Sequence, residues 1–326
     1  MLVPVLLFIV GLLLLIKGGD WFVDGATGVA ERFHVPEIII GATVVSIGTT
    51  LPEVMVSATS ALTGHGEIAY GNAIGSIICN TALIAAITVA VRPGPVDTKA
   101  LKTPVIFFFG SAVLYCLNAY ISGYFSRVLG VVLLAIFALY LYVTARQGFR
   151  NPVPQEETED PEKAEEIKNA PLGKHAILLV VGAALVAVGA DLLVDNGTLI
   201  AKGLGVPESV IALTFVALGT SLPELVTAIT SLAKGHGALS LGNVIGANIF
   251  NLVLVSGLSM TLAPFRLPQS STIAGINASL VLDVPLMFFV MAFLTLPTLA
   301  TKQLKRYQGI ILLLIYAAFC AVQFSM

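Results

Sequence analysis

The sequence predicts an all-α membrane protein with ten transmembrane helices in two inverted five-helix repeats, whose central helices are broken. Composition is the first reason, because 57% of the 326 residues are hydrophobic and only 11% are charged. Soluble domains carry about a quarter charged residues. The mean hydropathy of +0.95 therefore indicates that the solvent of this chain is a lipid bilayer.

The second reason is the recurrence of apolar stretches near the ~20 residues that cross a bilayer as a helix. We predict spans at residues 2–30, 37–63, 68–91, 103–119, 127–145, 175–201, 207–233, 238–263, 280–299 and 308–325. The net charge of -2 argues against a nucleic-acid partner. The three cysteines show no zinc spacing and no disulfide framework, and we expect no cofactor.

The third reason is an internal repeat at a shift of about 171 residues. It pairs Gly18–Leu83 with Gly189–Leu254 without a gap, and 29 of the 66 aligned positions are identical. Each half holds five spans, an odd number, so the second copy enters the bilayer from the opposite side. We divide the chain into a first repeat at 1–145, a linker at 146–174 and a second repeat at 175–326, with core motifs near 41–83 and 212–254.

The linker is rich in Pro, Glu and Lys, which predicts a solvated loop. If the linker is cytoplasmic, about 13 of the 17 basic residues lie on the cytoplasmic side, as the positive-inside rule requires. Both termini are then extracytoplasmic. The expected location is the cell membrane.

The most specific motif is a Thr-[Thr/Ser]-Leu-Pro-Glu segment in the middle of one span of each repeat, ending at Glu53 and Glu224. An intramembrane carboxylate costs at least about 2.5–3.5 kcal/mol on insertion scales and normally serves ions. Pro52 and Pro223 have no N–H to donate. We therefore expect helix breaks that free backbone carbonyls near Ser46 and Ala217, as at transporter ion sites.

Further oxygen donors accompany the two carboxylates. Helical spacing places four hydroxyls on the same face as a carboxylate: Thr49, Thr50, Thr220 and Ser221. The next span of each repeat adds Ser76, Asn80 and Asn251. A site made only of oxygen selects hard cations such as Ca²⁺ and Na⁺. Two ionised glutamates are neutralised by one Ca²⁺, two Na⁺ or two H⁺, so these ions would compete.

Other polar residues in these segments have simpler interpretations. Asn72 and Asn243 are expected to cap or brace the start of a helix. Asp20 and Asp24 lie near a span end and are expected to be solvated or capping. His65 and His236 lie in Gly-His-Gly turns, where turn geometry accounts for them.

The paired Gly-Thr-[Thr/Ser]-Leu-Pro-Glu and Gly-Asn-x-x-Gly motifs resemble the alpha repeats of the cation/calcium exchanger superfamily, on the side of the compact prokaryotic sodium/calcium exchangers. The resemblance implies Ca²⁺ ligands at Glu53 and Glu224, assisted by the backbone of Thr49 and Thr220. It implies Na⁺ ligands at the Ser46 and Ala217 carbonyls, Thr50, Ser221, Ser76 and the two glutamates, with Asn80 and Asn251 at the centre.

Two positions depart from the pattern of that family. Some relatives carry Asp where this chain has Asn251, and in potassium-dependent relatives that acid is linked to K⁺ use. Relatives also carry Ser where this chain has Ala247, which removes one hydroxyl from a Na⁺ site and leaves the stoichiometry open.

The resulting hypothesis is a secondary active antiporter that exchanges Ca²⁺ for Na⁺ by alternating access, without an obligatory protein partner. The first alternative is proton-coupled exchange, in which protonation of the same carboxylates releases Ca²⁺. A passive cation channel is a second alternative. An intramembrane enzyme is disfavoured, because the sequence shows no nucleophile–base pair or metal-ligand spacing.

Overall fold

The computed structural model describes residues 2–150, 171–204, 219–269, 272–273 and 275–325. The chain forms two compact units. Unit 1 comprises Met1–Thr49 and Ala145–Asn243, and unit 2 comprises Thr50–Thr144 and Val244–Met326. Each unit therefore contains helices from both sequence repeats.

Within the described residues, nine helical stretches are long and apolar enough to cross a membrane, which confirms nine of the ten predicted spans. The tenth, residues 207–233, is described only in its second half. The helices are α1 (Leu2–Phe33), α2 (Glu37–Ile40), α3 (Ser46–Leu62), α4 (Gly66–Cys79), α5 (Ala86–Val91), α6 (Thr98–Ile121), α7 (Arg127–Arg150), α8 (Leu172–Gly203), α9 (Leu222–Ala233), α10 (Gly237–Phe250), α11 (Ser256–Leu262), α12 (Val284–Thr301) and α13 (Arg306–Ser325).

Among the described residues, three spans are interrupted by π-helical segments and a fourth begins with one. In such segments the backbone hydrogen bonds reach one residue further than in an α-helix. The segments are π1 (Gly41–Val45), π2 (Asn80–Ala85), π3 (Asn251–Val255) and π4 (Ser279–Asp283). In the first repeat the irregular backbone lies at π1, directly before Ser46, and α3 continues through Pro52. Pro52 still has no N–H, so the carbonyl of Gly48 lacks its usual partner four residues on.

Unit 1 is organised by a close antiparallel contact between α1 and α8. A β-carbon on Gly11 would lie 2.9 Å from the carbonyl oxygen of Gly189, and one on Gly18 would lie 3.0 Å from that of Gly182. The spacing of seven residues on both helices keeps these glycines on one face. Small residues let membrane helices approach closely, so this contact depends on glycine.

The same glycines show that the repeat is inverted. The sequence shift relates Gly11 to Gly182 and Gly18 to Gly189. In the structure Gly11 faces Gly189, the equivalent of Gly18, and Gly18 faces Gly182, the equivalent of Gly11. Exchanging the two helices leaves the pattern of contacts unchanged, which is the property of a twofold axis lying in the membrane plane.

Short strand pairs in unit 2 repeat this relationship. The strands are β1 (Gly94–Pro95), β2 (Tyr124–Phe125), β3 (Phe265–Arg266), β4 (Thr272–Ile273), β5 (Ile276–Asn277) and β6 (Gln303–Leu304). β1 pairs with β6 and β2 pairs with β3, both antiparallel. Each pair joins connections from opposite repeats, and an inverted ten-span topology puts both connections of a pair on one side of the membrane.

Local sequence explains how α6 begins after β1. Asp97 precedes the helix, and its Oδ1 accepts hydrogen bonds from the backbone N–H groups of Lys99 at 2.9 Å and Ala100 at 3.3 Å. An aspartate in this position satisfies N–H groups that have no partner inside the helix.

Candidate ion-binding site

The two motif carboxylates are fully buried in apolar helices. Glu53 lies inside α3 in unit 2, and Glu224 lies in the first turn of α9 in unit 1; both residues are 0% exposed. The N-terminal turn of a helix stabilises negative charge through its unpaired N–H groups. The negative charge of Glu224 is therefore stabilised by a helix N-terminus, whereas Glu53 lies in the middle of its helix.

Hydroxyl groups precede each carboxylate, as the motif predicts. Thr50 and Ser221 are buried three residues before Glu53 and Glu224, a spacing that brings side chains onto one helix face. Thr49 is also buried, whereas Thr220 is only half-buried. Ala217 lies outside the described residues.

Ser46 and Thr49 are brought together by an asparagine of the other repeat within unit 1. The Oδ1 atom of Asn243 lies 3.3 Å from the Ser46 hydroxyl and 3.2 Å from the Thr49 hydroxyl, and it accepts hydrogen bonds from both. The Ser46 hydroxyl is also 2.8 Å from the carbonyl of Gly41 and 3.0 Å from that of Asn243. The first turn of α3 is thus tied to α10.

The equivalent asparagine of the first repeat, Asn72, also contacts α3. Its Nδ2 donates to the carbonyl of Glu53 at 3.2 Å and to the Ser57 hydroxyl at 2.8 Å, within unit 2. Asn72 and Asn243 each lie six residues after the first residue of their helix. Neither asparagine caps the start of its own helix, so that part of our expectation was wrong. Each side chain instead bridges to α3, and Asn243 braces the first turn of that helix.

Asn80 and Asn251 stand out because their amides have no partner. Both are 0% exposed, and in the described part of the chain neither amide atom of either residue makes a hydrogen bond. Leaving a buried polar group unpaired costs about 1–3 kcal/mol, and such groups in folded proteins call for an explanation. Each residue also opens a π-helical segment, a feature frequent at functional sites.

The residues just before Asn80 and Asn251, on α4 and α10, differ between the repeats. Ser76 is buried on α4, and its counterpart Ala247 is buried on α10. Next to Ala247, Asn248 donates through Nδ2 to the Thr81 hydroxyl at 2.7 Å and to the sulfur of Met291 at 3.2 Å. Sequence reasoning had not singled out Asn248, whose counterpart in the first repeat is Ile77.

The charged residues excluded from the site form surface contacts in unit 1. Lys234 Nζ lies 2.8 Å from Asp24 Oδ1 and 3.4 Å from Asp20 Oδ1. His236 Nδ1 lies 2.6 Å from Glu37 Oε1. The turn between α9 and α10 is thereby joined to α1 and α2, so these aspartates are ion-paired rather than simply solvated.

An inverted helical repeat with one buried, membrane-embedded carboxylate in each copy defines an integral membrane cation transporter. Comparison with known proteins agrees. The family described as "Sodium/calcium exchanger protein" matches residues 3–146 and 174–325. The chain belongs to this family.

Full-length relatives and solved structures support the assignment. The putative antiporter CaxA of Alkalimonas amylolytica is 34% identical over all of both chains. The sodium/calcium exchanger MaX1 of Methanosarcina acetivorans is 30% identical over 98% of both. A structure of the sodium-calcium exchanger NCX_Mj, soaked with Na⁺ and Sr²⁺, superposes with a TM-score of 0.79 at 32% identity over 98% of each chain.

Proposed function

We propose that this protein is a secondary active antiporter that exchanges Ca²⁺ for Na⁺ by alternating access. The observation that carries the proposal is the symmetric pair of buried carboxylates, Glu53 and Glu224. The similar proteins MaX1 and NCX_Mj are both sodium/calcium exchangers by name.

Charge counting explains why the two ions would compete. One Ca²⁺ or two Na⁺ neutralise two carboxylates, whereas two bare charges in a low-dielectric interior are strongly unfavourable. The unloaded carrier then resists crossing between its two states, and this penalty couples the two fluxes. The ions are substrates that cross chemically unchanged, so the proposal requires neither a cofactor nor a catalytic step.

The proposed ligands are all oxygen atoms. They are the carboxylates of Glu53 and Glu224, the hydroxyls of Thr50, Ser221 and Ser76, the amide oxygens of Asn80 and Asn251, and backbone carbonyls at Ser46, Thr49, Ala217 and Thr220. Ca²⁺ takes 6–8 such oxygens at about 2.3–2.6 Å. The inclusion of the two asparagines is supported by their buried amides, which make no hydrogen bond to the residues that the structure describes.

Reconstitution of the purified chain alone tests the proposal. Vesicles loaded with Na⁺ and diluted into Na⁺-free medium should accumulate radioactive Ca²⁺ at clamped pH and membrane potential, whereas vesicles loaded with choline should not. Equal uptake in both preparations contradicts sodium coupling. Activity of the single chain would also support our expectation that no protein partner is obligatory.

The same vesicles separate the rival functions. A pH gradient that drives Ca²⁺ uptake without Na⁺ would favour proton-coupled exchange. A passive channel would conduct Ca²⁺ without being accelerated by Ca²⁺ on the far side, whereas an exchanger shows that acceleration.

We further propose that the linker at 146–174 is cytoplasmic and that both termini are extracytoplasmic, since this orientation gathers most basic residues inside. Protease sites inserted at residue 160 or at the C-terminus, probed in intact and permeabilised cells, test it. Cleavage at residue 160 from outside intact cells contradicts the orientation.

A further inference from the structure

We propose that Asn243 and Asn72 are positioning residues that hold the first-repeat helix α3 in the geometry needed for Na⁺. The inference rests on the proposed function, because α3 carries the proposed Na⁺ ligands Ser46, Thr50 and Glu53. Neither asparagine belongs to the ligand set proposed above.

A close backbone approach lets Asn243 reach its partners. A β-carbon on Gly41 of π1 would lie 2.8 Å from the backbone nitrogen of Asn243, and one on Gly242 would overlap the carbonyl oxygen of Ile38. With two glycines at this crossing, α10 lies against the start of α3. The Asn243 amide then accepts hydrogen bonds from the Ser46 and Thr49 hydroxyls in a fully buried setting.

Asn72 acts one turn further along the same helix. By donating to the Glu53 carbonyl and the Ser57 hydroxyl, it holds the backbone at the residue whose carboxylate is proposed to bind the ion. Ser57 is fully buried, so this bond is shielded from water and is stronger than a surface bond.

The two repeats differ at the serines that are hydrogen-bonded to these asparagines. Ser46 and Ser57 correspond to Ala217 and Ala228 in the second repeat, and an alanine offers no hydroxyl. Gly41 likewise corresponds to Ala212. The hydroxyls of Ser46 and Ser57 are therefore particular to the first repeat.

The two ions depend differently on such bracing. Ca²⁺ is held chiefly by two full charges, whose attraction changes slowly with small displacements. Na⁺ carries half that charge and relies more on neutral carbonyl and hydroxyl oxygens, whose contribution depends on their orientation. Loosening α3 should therefore weaken Na⁺ binding more than Ca²⁺ binding.

A double-mutant cycle on reconstituted full-length protein tests the inference. We expect Asn243→Ala to raise the half-saturating Na⁺ concentration about three- to tenfold, the range of one buried hydrogen bond. Ca²⁺/Ca²⁺ exchange without Na⁺ measures Ca²⁺ binding by the same variant. Its half-saturating Ca²⁺ concentration should change by less than about twofold, a small free-energy difference. Adding Thr49→Ala to Asn243→Ala should add little, because both changes remove the hydrogen bond between the Thr49 hydroxyl and Asn243 Oδ1.

We expect the same pattern for Asn72→Ala: a larger loss for Na⁺ than for Ca²⁺, to which Ser57→Ala adds little because both changes remove the Asn72–Ser57 hydrogen bond. The matched control is Asn196→Ala, which removes a buried asparagine of unit 1 that bonds only within its own helix among the described contacts. A purely structural role predicts parallel losses for Na⁺ and Ca²⁺, or full additivity in the cycle, and either result overturns the inference.

A second readout separates this inference from the proposed function. Na⁺-dependent thermal stabilisation of the detergent-purified protein reports Na⁺ binding without transport. If the wild type binds Na⁺ but does not couple it to Ca²⁺, the proposal of sodium/calcium exchange fails. The positioning role is then still tested by whether Asn243→Ala needs more Na⁺ than the wild type for the same thermal stabilisation. If Na⁺ stabilises the wild type and Asn243→Ala equally, the positioning role fails.

Discussion

Gly18 of α1 and Gly182 of α8 pack backbone to backbone. A β-carbon on either residue would lie within 3.0 Å of the carbonyl oxygen of the other. The contact is reciprocal although the two glycines are not equivalent in the repeat, since Gly18 corresponds to Gly189. One pair of residues thus shows both how these helices pack and that the two halves are inverted.

Alanine at either glycine should destabilise unit 1. We expect Gly18→Ala or Gly182→Ala to cost about 1–3 kcal/mol, because the added methyl group meets backbone atoms that cannot move aside. Thermal unfolding in detergent measures the loss. Gly110→Ala is the control, since a β-carbon there would meet no atom of the described residues within 4 Å. An equal loss in the control would contradict the packing argument.

Neutralising either motif carboxylate should abolish Ca²⁺ transport. Glu53→Gln and Glu224→Gln keep the shape of the side chain and remove the charge that binds the divalent ion. Uptake of radioactive Ca²⁺ into vesicles is the measurement. Asp24→Asn and the exposed Glu67→Gln should retain most activity, and transport by either buried-site variant would refute the assignment.

The unpaired asparagines should show opposite effects on binding and stability. Asn80→Ala or Asn251→Ala removes a proposed ligand, so we expect about a tenfold or greater loss of Ca²⁺ affinity. Stability without Ca²⁺ and Na⁺ should hold or rise, because a buried amide without partners is removed. Asn248→Ala is the control, since it breaks bonds to Thr81 and Met291 and should lower stability. A loss of stability in the first two variants equal to that of the control would indicate a structural role.

The contact between His236 and Glu37 should make stability depend on pH. Burial alone lowers the pKa of His236, but the hydrogen bond and charge of Glu37, with the charges of Glu31 and Asp24, outweigh it and raise the pKa above its usual value. Because the pKa of His236 is raised in the folded state, the contact contributes its full stabilisation below about pH 6.5, the pKa expected for histidine in the unfolded chain. It is lost as the pH rises through the folded value.

Thermal unfolding of His236→Gln against the wild type, followed from pH 5.5 to 9, measures this contribution. The difference should be largest at the acidic end and shrink as the pH rises. His65→Gln is the matched control, since His65 lies in the equivalent turn and contacts Thr63 rather than an acid. A difference that grows with pH would reverse the sign and exclude the mechanism.

Much of the architecture could be predicted because long apolar stretches and a gapless repeat are properties of the chain itself. The positions of Glu53 and Glu224 within spans follow from the same patterns. Pro52 predicted irregular backbone near Ser46, but the proline itself lies inside a continuous helix and the irregular segment is the π-helix at Gly41–Val45. Propensity alone does not locate such π-helical segments.

The sequence by itself determined the membrane environment, the inverted repeat and the buried acids, since each depends on residue type and spacing along the chain. Only the tertiary structure decided that Asn243 reaches Ser46 and Thr49, and that the buried amides of Asn80 and Asn251 find no hydrogen-bond partner among the described residues. Such contacts join residues far apart in sequence. They depend on how closely glycines such as Gly41 and Gly242 let two backbones approach, which no local pattern encodes.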